Sequence, residues 1–236
     1  MTAAERMAGG AAAFHVAVMA KYPRLGSVKT RLARAIGSAA AAALSRAFIL
    51  DLHDRLRQER IAQTWAYWPP EAPFAALLPG ASCLAQSGTD LGERMRGVLV
   101  HLLRAHAIPV VLLGADLPHV DLAVVRRAGE ALAAGDDIVL GPAADGGYYL
   151  LGVRRDLPEI FRGVRWGGPD VYAQTYARCR ALGVTPLVLP EAFDVDEGAD
   201  LERLTALLAR EVVCLPHTRA ALARFRLSRP STYRPE

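Results

Sequence analysis

Four carboxylates at the ends of apolar runs carry the clearest chemical signal in this chain. Asp116 follows its most apolar stretch, residues 109–113, within Gly114-Ala115-Asp116-Leu117-Pro118. Asp194-Val195-Asp196, with Glu197 next, closes a late apolar segment. Carboxylates that end two strands on one sheet edge could share a hard divalent ion, Mg²⁺ or Mn²⁺, leaving water and substrate phosphate to complete its shell. Asp116, Asp194 and Asp196 are the expected metal ligands on this reading. A plainer account makes Asp116 the cap of a turn or of the next helix. It makes the Asp pair helix N-terminal charge, favourable toward the dipole of a helix over residues 199–210.

A basic stretch, Lys21-Tyr22-Pro23-Arg24-Leu25-Gly26-Ser27-Val28-Lys29-Thr30-Arg31-Leu32, offers the complementary charge. Lys21 and Lys29 are the only lysines in the chain, and the other basic side chains are arginines. An ammonium and a forked guanidinium bind phosphate differently. Finding both on one loop after an apolar strand suggests a pocket for phosphate oxygens, with Lys21, Pro23, Gly26, Lys29 and Arg31 as its lining. The alternative is a solvated basic loop. The stretch matches neither G-x-x-x-x-G-K-[ST] nor G-x-G-x-x-G.

Asp145-Gly146-Gly147-Tyr148 is the third constellation. Paired glycines let a ligand approach the main chain. Asp145 could hold a sugar hydroxyl while Tyr148 stacks on a ring, although Asp-Gly is also a common hairpin signal. Asp145 or Asp196 could act as general base. Gln86 and the segment Gly88-Thr89-Asp90-Leu91-Gly92-Glu93-Arg94-Met95 could line the nucleotide side, or simply open a capped helix. Trp166, between glycine-rich turns, reads equally as a lid aromatic for sugar or acceptor and as a core tryptophan. No nucleophile elbow is present, which disfavours a serine hydrolase of that kind.

These residues need a scaffold, and the hydrophobic pattern supplies one. Apolar runs at 14–20, 63–67, 82–86, 109–113, 137–141 and 185–189, with another after Gly147, read as strands. Helices are predicted over 38–58, from about 90 to 106, over 121–134, 158–161, 169–182 and 199–210. The alternation predicts an α/β fold, one domain with a mostly parallel, mixed sheet between helices, and such folds bind ligands at the carboxyl edge of the strands. The domain is expected over 14–210, after a disordered leader at 1–13 and before a helical or irregular tail at 211–236.

Composition narrows the classes further. The chain has 236 residues and a formal net charge of +4, without a dense basic run interleaved with aromatics, so no nucleic-acid partner is indicated. Three scattered cysteines suggest free thiols in a reducing compartment and no zinc site. Residues 11–20 are too few to span a bilayer. With no targeting signal read, the cytoplasm is the default location. Arginine-rich helices and the tail could support a homodimer.

Taken in order, the motifs resemble the bacterial family catalogued as DUF2064. These are small GT-A-type glycosyltransferase-like proteins, also described as radical-SAM/selenodomain-associated or arsenosugar-biosynthesis-associated transferases. The resemblance rests on Lys21-x-Pro23-x-x-Gly26-x-x-Lys29-Thr30-Arg31-Leu32, Gln86 with Asp90-Leu91-Gly92-Glu93-Arg94-Met95, and Gly114-x-Asp116-x-Pro118. It continues through Gly141-Pro142-x-x-Asp145-Gly146-Gly147-Tyr148-Tyr149-Leu150 to Asp194-Val195-Asp196. It implies a nucleotide-diphospho-sugar transferase fold that binds such a donor with a divalent cation, Asp116 standing at the family's metal-binding acid and Asp194 and Asp196 beside it. Two positions depart from the family pattern. Gly167-Gly168 follow Trp166 where Ser-Thr is usual, and Glu197 stands where Thr is usual.

The leading expectation is metal-dependent transfer of a sugar from a nucleotide-diphospho-sugar to a small acceptor. A nucleotidyltransferase of the same fold, similar to phospholactate guanylyltransferases in its Lys-Thr-Arg-Leu segment, is the alternative. A non-catalytic nucleotide-binding subunit is a third reading.

Overall fold

A computed structural model describes residues 13–228. The expected leader, apart from Ala13, and the last residues of the expected tail lie outside the described residues. Seven strands form one sheet: β1 (His15–Lys21), β2 (Gln63–Trp68), β3 (Cys83–Ala85), β4 (Val110–Gly114), β5 (Ile138–Pro142), β6 (Tyr148–Val153) and β7 (Leu187–Val188), in the spatial order β3-β2-β1-β4-β6-β5-β7. β6 runs antiparallel to both of its neighbours, and every other pairing is parallel. The sheet is mixed and mostly parallel, as the alternation of elements predicts.

Side-chain alternation along β1 divides the core. Val16, Val18 and Ala20 face one layer, with Ile49, Leu52 and Leu56 of α2 (Ser38–Gln58). Val125 and Leu132 of α5 (Leu122–Ala134) belong to the same layer. Ala17 faces the other layer, where α4 (Leu91–His106) places Met95, Val98, Leu99 and Leu102. Cys179 of α6 (Val171–Ala181) packs there too. The period of two in a strand makes this division automatic once the sheet is covered on both sides. A third cluster holds Leu32, Leu44, Phe48, Val195, Leu204 and Leu208 under α7 (Gly198–Ala209). A short helix, α3 (Phe74–Leu77), and a 3₁₀ turn at Pro158–Ile160 complete the connections up to residue 209.

One element departs from the sequence expectation. Thr30-Arg31-Leu32 is the first turn of a helix, α1 (Thr30–Ile36), not the end of a loop. Its residues are good helix formers, and Leu32 is fully buried, which anchors the turn in the third cluster. Gly37, at φ 86°, separates α1 from α2. The cap readings fit: Asp90 accepts from the Glu93 amide at 2.8 Å and Asp121 from the Ala123 amide at 2.9 Å. The last helix, α8 (Pro216–Ser228), is fixed by the buried Asp51 of α2. Its carboxylate accepts from the Thr218 amide at 2.8 Å, the Thr218 hydroxyl at 2.6 Å and the His217 amide at 2.9 Å.

His15, at the start of β1, is buried against Thr64, with Nε2 to Oγ1 at 2.9 Å, and stacks on His106 at 4.3 Å. Burial, aided by His106, lowers its pKa to about 4. The unfolded chain therefore binds the extra proton first. The stability this group contributes is complete above the ordinary histidine value and is lost as pH falls toward 4. Between pH 7 and pH 5 it should cost about 2 kcal/mol. Urea unfolding of His15→Gln should show a shallower loss of stability over that interval, and a slope equal to that of the parent would reject His15 as the titrating group.

Candidate functional site

Three chain segments distant in sequence meet at the carboxyl edge of the sheet. The Ala115 amide donates to Met19 O at 3.1 Å, tying the end of β4 to β1. The Val195 amide donates to Asp116 O at 3.1 Å, and Ala192 pairs with Ala143 beside β5. Val195 is fully buried against the third cluster, which leaves Asp194 and Asp196 on either side of it at the edge. The backbone thus brings Asp116, Asp194 and Asp196 together.

Lys29 sits in their midst. Its Nζ lies 2.6 Å from Asp116 Oδ1 and 2.8 Å from Asp196 Oδ1, and its side chain is 3% exposed. The ammonium also lies 5.7 Å from the centroid of the Phe48 ring. Lys29 adopts a left-handed conformation, φ 49° and ψ 43°, at the N-cap of α1. For a residue with a Cβ that conformation costs about 1–2 kcal/mol, so the surrounding packing must hold it there. Burial opposes the charge, but the Asp116 and Asp196 carboxylates outweigh it and raise the Lys29 pKa. Sequence reasoning placed this ammonium among phosphate contacts on an open loop. The structure instead buries it and directs it to two carboxylates.

Asp194 is the third acid of the cluster. Burial pushes its pKa up to about 8, with Asp116 and Asp196 adding to the effect, Lys29 opposing it and Asp145 contributing a smaller rise. One ammonium is thus set among three acids here. Asp116 and Asp196 remain 48% and 41% exposed in their side chains, each bonding Lys29 through Oδ1. Among the described residues no group of three or more His, Cys, Asp or Glu is already gathered to hold a metal ion. Crowded carboxylates with solvent-facing oxygens nonetheless fit Mg²⁺ or Mn²⁺, which take few protein carboxylates and complete their shells with water and phosphate.

Next to the cluster, the β5–β6 hairpin forms one wall of a cavity of about 390 Å³, lined by Arg31, Asp145, Gly147, Tyr148, Trp166 and Asp194 among others. Asp145 Oδ1 accepts from the Gly147 amide at 2.9 Å, closing the turn. Asp-Gly-Gly is therefore a hairpin turn and a cavity wall at once. Gly146 has φ +87°, and a Cβ there would lie 1.8 Å from Pro169 O. The close approach expected of a ligand at Gly146 is made by the protein's own backbone. The Tyr172 amide, in α6, donates to Gly146 O at 2.9 Å. Trp166 closes the far side over the first turn of α4, where a Cβ on Gly92 would come within 2.4 Å of its indole. Tyr148 donates weakly to Met95 Sδ at 3.9 Å, and burial pushes its phenol pKa well up.

Gln86, Asp90, Lys21, Pro23 and Gly26 stand apart from the cavity wall, and Arg31 stands at its mouth. Gln86 is buried and its amide donates to Ala66 O at 2.7 Å, so it braces β2. Asp90 is occupied as the cap of α4. Lys21 ends β1 and is exposed, Pro23 is half-buried, and Gly26 is an exposed tip at φ +75°. Arg31 lines the cavity mouth and reaches Glu197 Oε1 only at 3.6 Å.

Sequence reasoning missed the residues that hold the acid loops. Arg55 of α2 donates through Nη1 to Pro118 O and through Nη2 to Val120 O at 2.7 Å, gripping the turn after Asp116. His119 packs against Phe193 with the rings tilted and their centroids 4.2 Å apart, and the Arg203 guanidinium lies 3.8 Å from the centroid of the same Phe193 ring. His119 directly follows the Asp116 motif and Phe193 directly precedes Asp194, which was the one available signal. Arg55 is lost among many helical arginines.

Residues 49–168, about half of the chain, match the family described as "Uncharacterized protein conserved in bacteria (DUF2064)". A protein from Desulfovibrio desulfuricans G20, provisionally named a nucleotide-diphospho-sugar transferase, is 35% identical with a TM-score of 0.84, covering 92% of this chain and 96% of its own. A 4-diphosphocytidyl-2C-methyl-D-erythritol synthase shares the fold at 15% identity and TM-score 0.55, over 85% of this chain and 100% of its own. So does CMP:2-keto-3-deoxy-manno-octonic acid synthetase, solved with CTP, at 15% identity and TM-score 0.54, over 84% of this chain and 99% of its own. No curated protein matches the sequence.

Two glycines test the hairpin geometry. Gly146→Ala combines positive φ with a backbone clash, so it should destabilise by roughly 2 kcal/mol or more. Gly26→Ala has positive φ but open space around it, and should cost only about 1 kcal/mol. Equal urea midpoints for the two variants would contradict the packing described between Gly146 and Pro169.

Proposed function

We propose that this chain, which belongs to the DUF2064 family, is a metal-dependent glycosyltransferase that moves a sugar from a nucleotide-diphospho-sugar to a small acceptor. One observation carries the reading: the cavity walled by Tyr148, Trp166 and Asp145 opens onto the Lys29–aspartate cluster through Asp194. Aromatic walls suit the apolar faces of a sugar ring, and a carboxylate suits its hydroxyls. The provisional name of the Desulfovibrio relative points the same way.

In this reading the acceptor oxygen attacks the anomeric carbon as the bond to the donor phosphate breaks. The bond electrons leave with the nucleoside diphosphate, and the acceptor proton passes to Asp145 if the reaction inverts. Arg31 and Lys21 would draw the phosphates toward the cluster. A bound Mg²⁺ or Mn²⁺, held by Asp116 with Asp194 and Asp196, would supply neutralisation of charge on the departing diphosphate. The hydrogen bond from the Gly147 amide fixes the Asp145 carboxylate toward the cavity. Tyr148 and Trp166 exclude water from the ring.

Thermal shifts with UDP-, GDP-, ADP- and dTDP-sugars and the matching nucleoside triphosphates, each with and without Mn²⁺ or Mg²⁺, test this. A metal-dependent rise with one sugar donor is expected, equivalent to about 2.7 kcal/mol when ligand is about 100-fold above its dissociation constant. Asp116→Asn should abolish the metal dependence. A rise with a nucleoside triphosphate alone would assign nucleotidyl transfer instead, and no shift across the panel would overturn the nucleotide site.

A further inference from the structure

We infer that Lys29 is a built-in counter-ion that keeps a divalent metal out of the aspartate cluster until a diphosphate group brings it in. The inference rests on the metal-bridged reading above and gives it an order of binding.

The geometry is that of a bridging cation already in place. The Lys29 ammonium contacts one oxygen of Asp116 and one of Asp196, residues from two separate loops, at 2.6 and 2.8 Å. It cannot readily swing away. The side chain is 3% exposed and crosses Phe48, and the Lys29 carbonyl accepts from the Ala33 amide at 2.8 Å in the first turn of α1. Leu32, one turn along, is locked in the core. The positive charge is therefore part of the fold.

A divalent ion approaching alone meets the free oxygens of Asp116 and Asp196 with this ammonium on their other side. Like charges a few ångströms apart inside a protein repel strongly. An ion that arrives with a diphosphate carries its own negative charge, and the repulsion becomes attraction toward the phosphate oxygens. Metal and diphosphate should therefore bind together, and each should be weak alone.

Mn²⁺ binding, read by electron paramagnetic resonance on the full-length protein without nucleotide, tests the inference directly. The parent protein should bind Mn²⁺ weakly alone and at least about tenfold more tightly with inorganic pyrophosphate present, after the Mn²⁺ that pyrophosphate holds in a protein-free control is subtracted. Lys29→Met should bind Mn²⁺ alone roughly tenfold or more tightly than the parent does. It should also melt higher when Mn²⁺ is added. Lys29→Arg keeps the charge and should behave like the parent. A folded Lys29→Met that binds Mn²⁺ alone no better than the parent would overturn the inference. If Lys29→Met does not fold, the parent decides: equal Mn²⁺ affinity with and without pyrophosphate overturns the inference while leaving the metal site standing. No Mn²⁺ binding in either protein, even with pyrophosphate, overturns the metal-bridged reading itself.

Discussion

A buried ammonium must be neutralised, and that demand organises this edge of the molecule. Lys29 draws carboxylates from residues 116 and 196 onto one nitrogen. Removing a partner from a buried pair commonly costs about 3–5 kcal/mol. The half-exposed aspartates bring the figure here toward the low end, because solvent screens them. Even so, the contact couples the start of α1, the turn after β4 and the segment before α7. None of these three could shift alone without stranding a charge.

The sheet topology makes that convergence geometrically cheap. With β6 inserted antiparallel between β4 and β5, the hairpin at 143–147 emerges on the same edge as Asp116. The 192–195 segment then stitches both together, through Ala144 N to Ala192 O at 2.9 Å and Val195 N to Asp116 O at 3.1 Å. An all-parallel order would have placed the start of β6 at the opposite edge. The antiparallel strand is therefore what puts an Asp-Gly-Gly turn beside an acid cluster, and what gives the cavity a wall with backbone amides.

Much of the architecture was legible because periodicity reports burial. The helix at Ser38–Gln58 and the apolar runs flanking Asp116 carry their patterns in consecutive residues. Clustering of the acids was legible in part: Asp116 follows β4 at the carboxyl edge, whereas Asp194 and Asp196 lie well past β7 and are carried there by the pairing of Ala192 with Ala143 and of Val195 with Asp116. The direction of Lys29 was not legible. It closes a stretch holding Tyr22, Pro23, Arg24 and Gly26, which reads as an open loop, while its partners are Asp116 and Asp196, far along the chain. Long-range neutralisation has no local signature. The same holds for Arg55, whose two carbonyl acceptors belong to a turn 63 and 65 residues downstream.

Glycine shows how one local pattern can serve two masters. Gly146 and Gly92 both sit in segments that look built for a ligand, yet each lacks a side chain because another part of the protein occupies the space, Pro169 O in one case and the Trp166 indole in the other. Those contacts determine where the cavity ends. Pro169 locks the hairpin against the start of α6, and Trp166 seals the chamber over α4. A small residue at an apparent ligand-binding loop can thus shape the site indirectly, by admitting the wall that the ligand touches. The acids and the ammonium set the charge at this edge, while the cavity's volume is set by which residues have no Cβ.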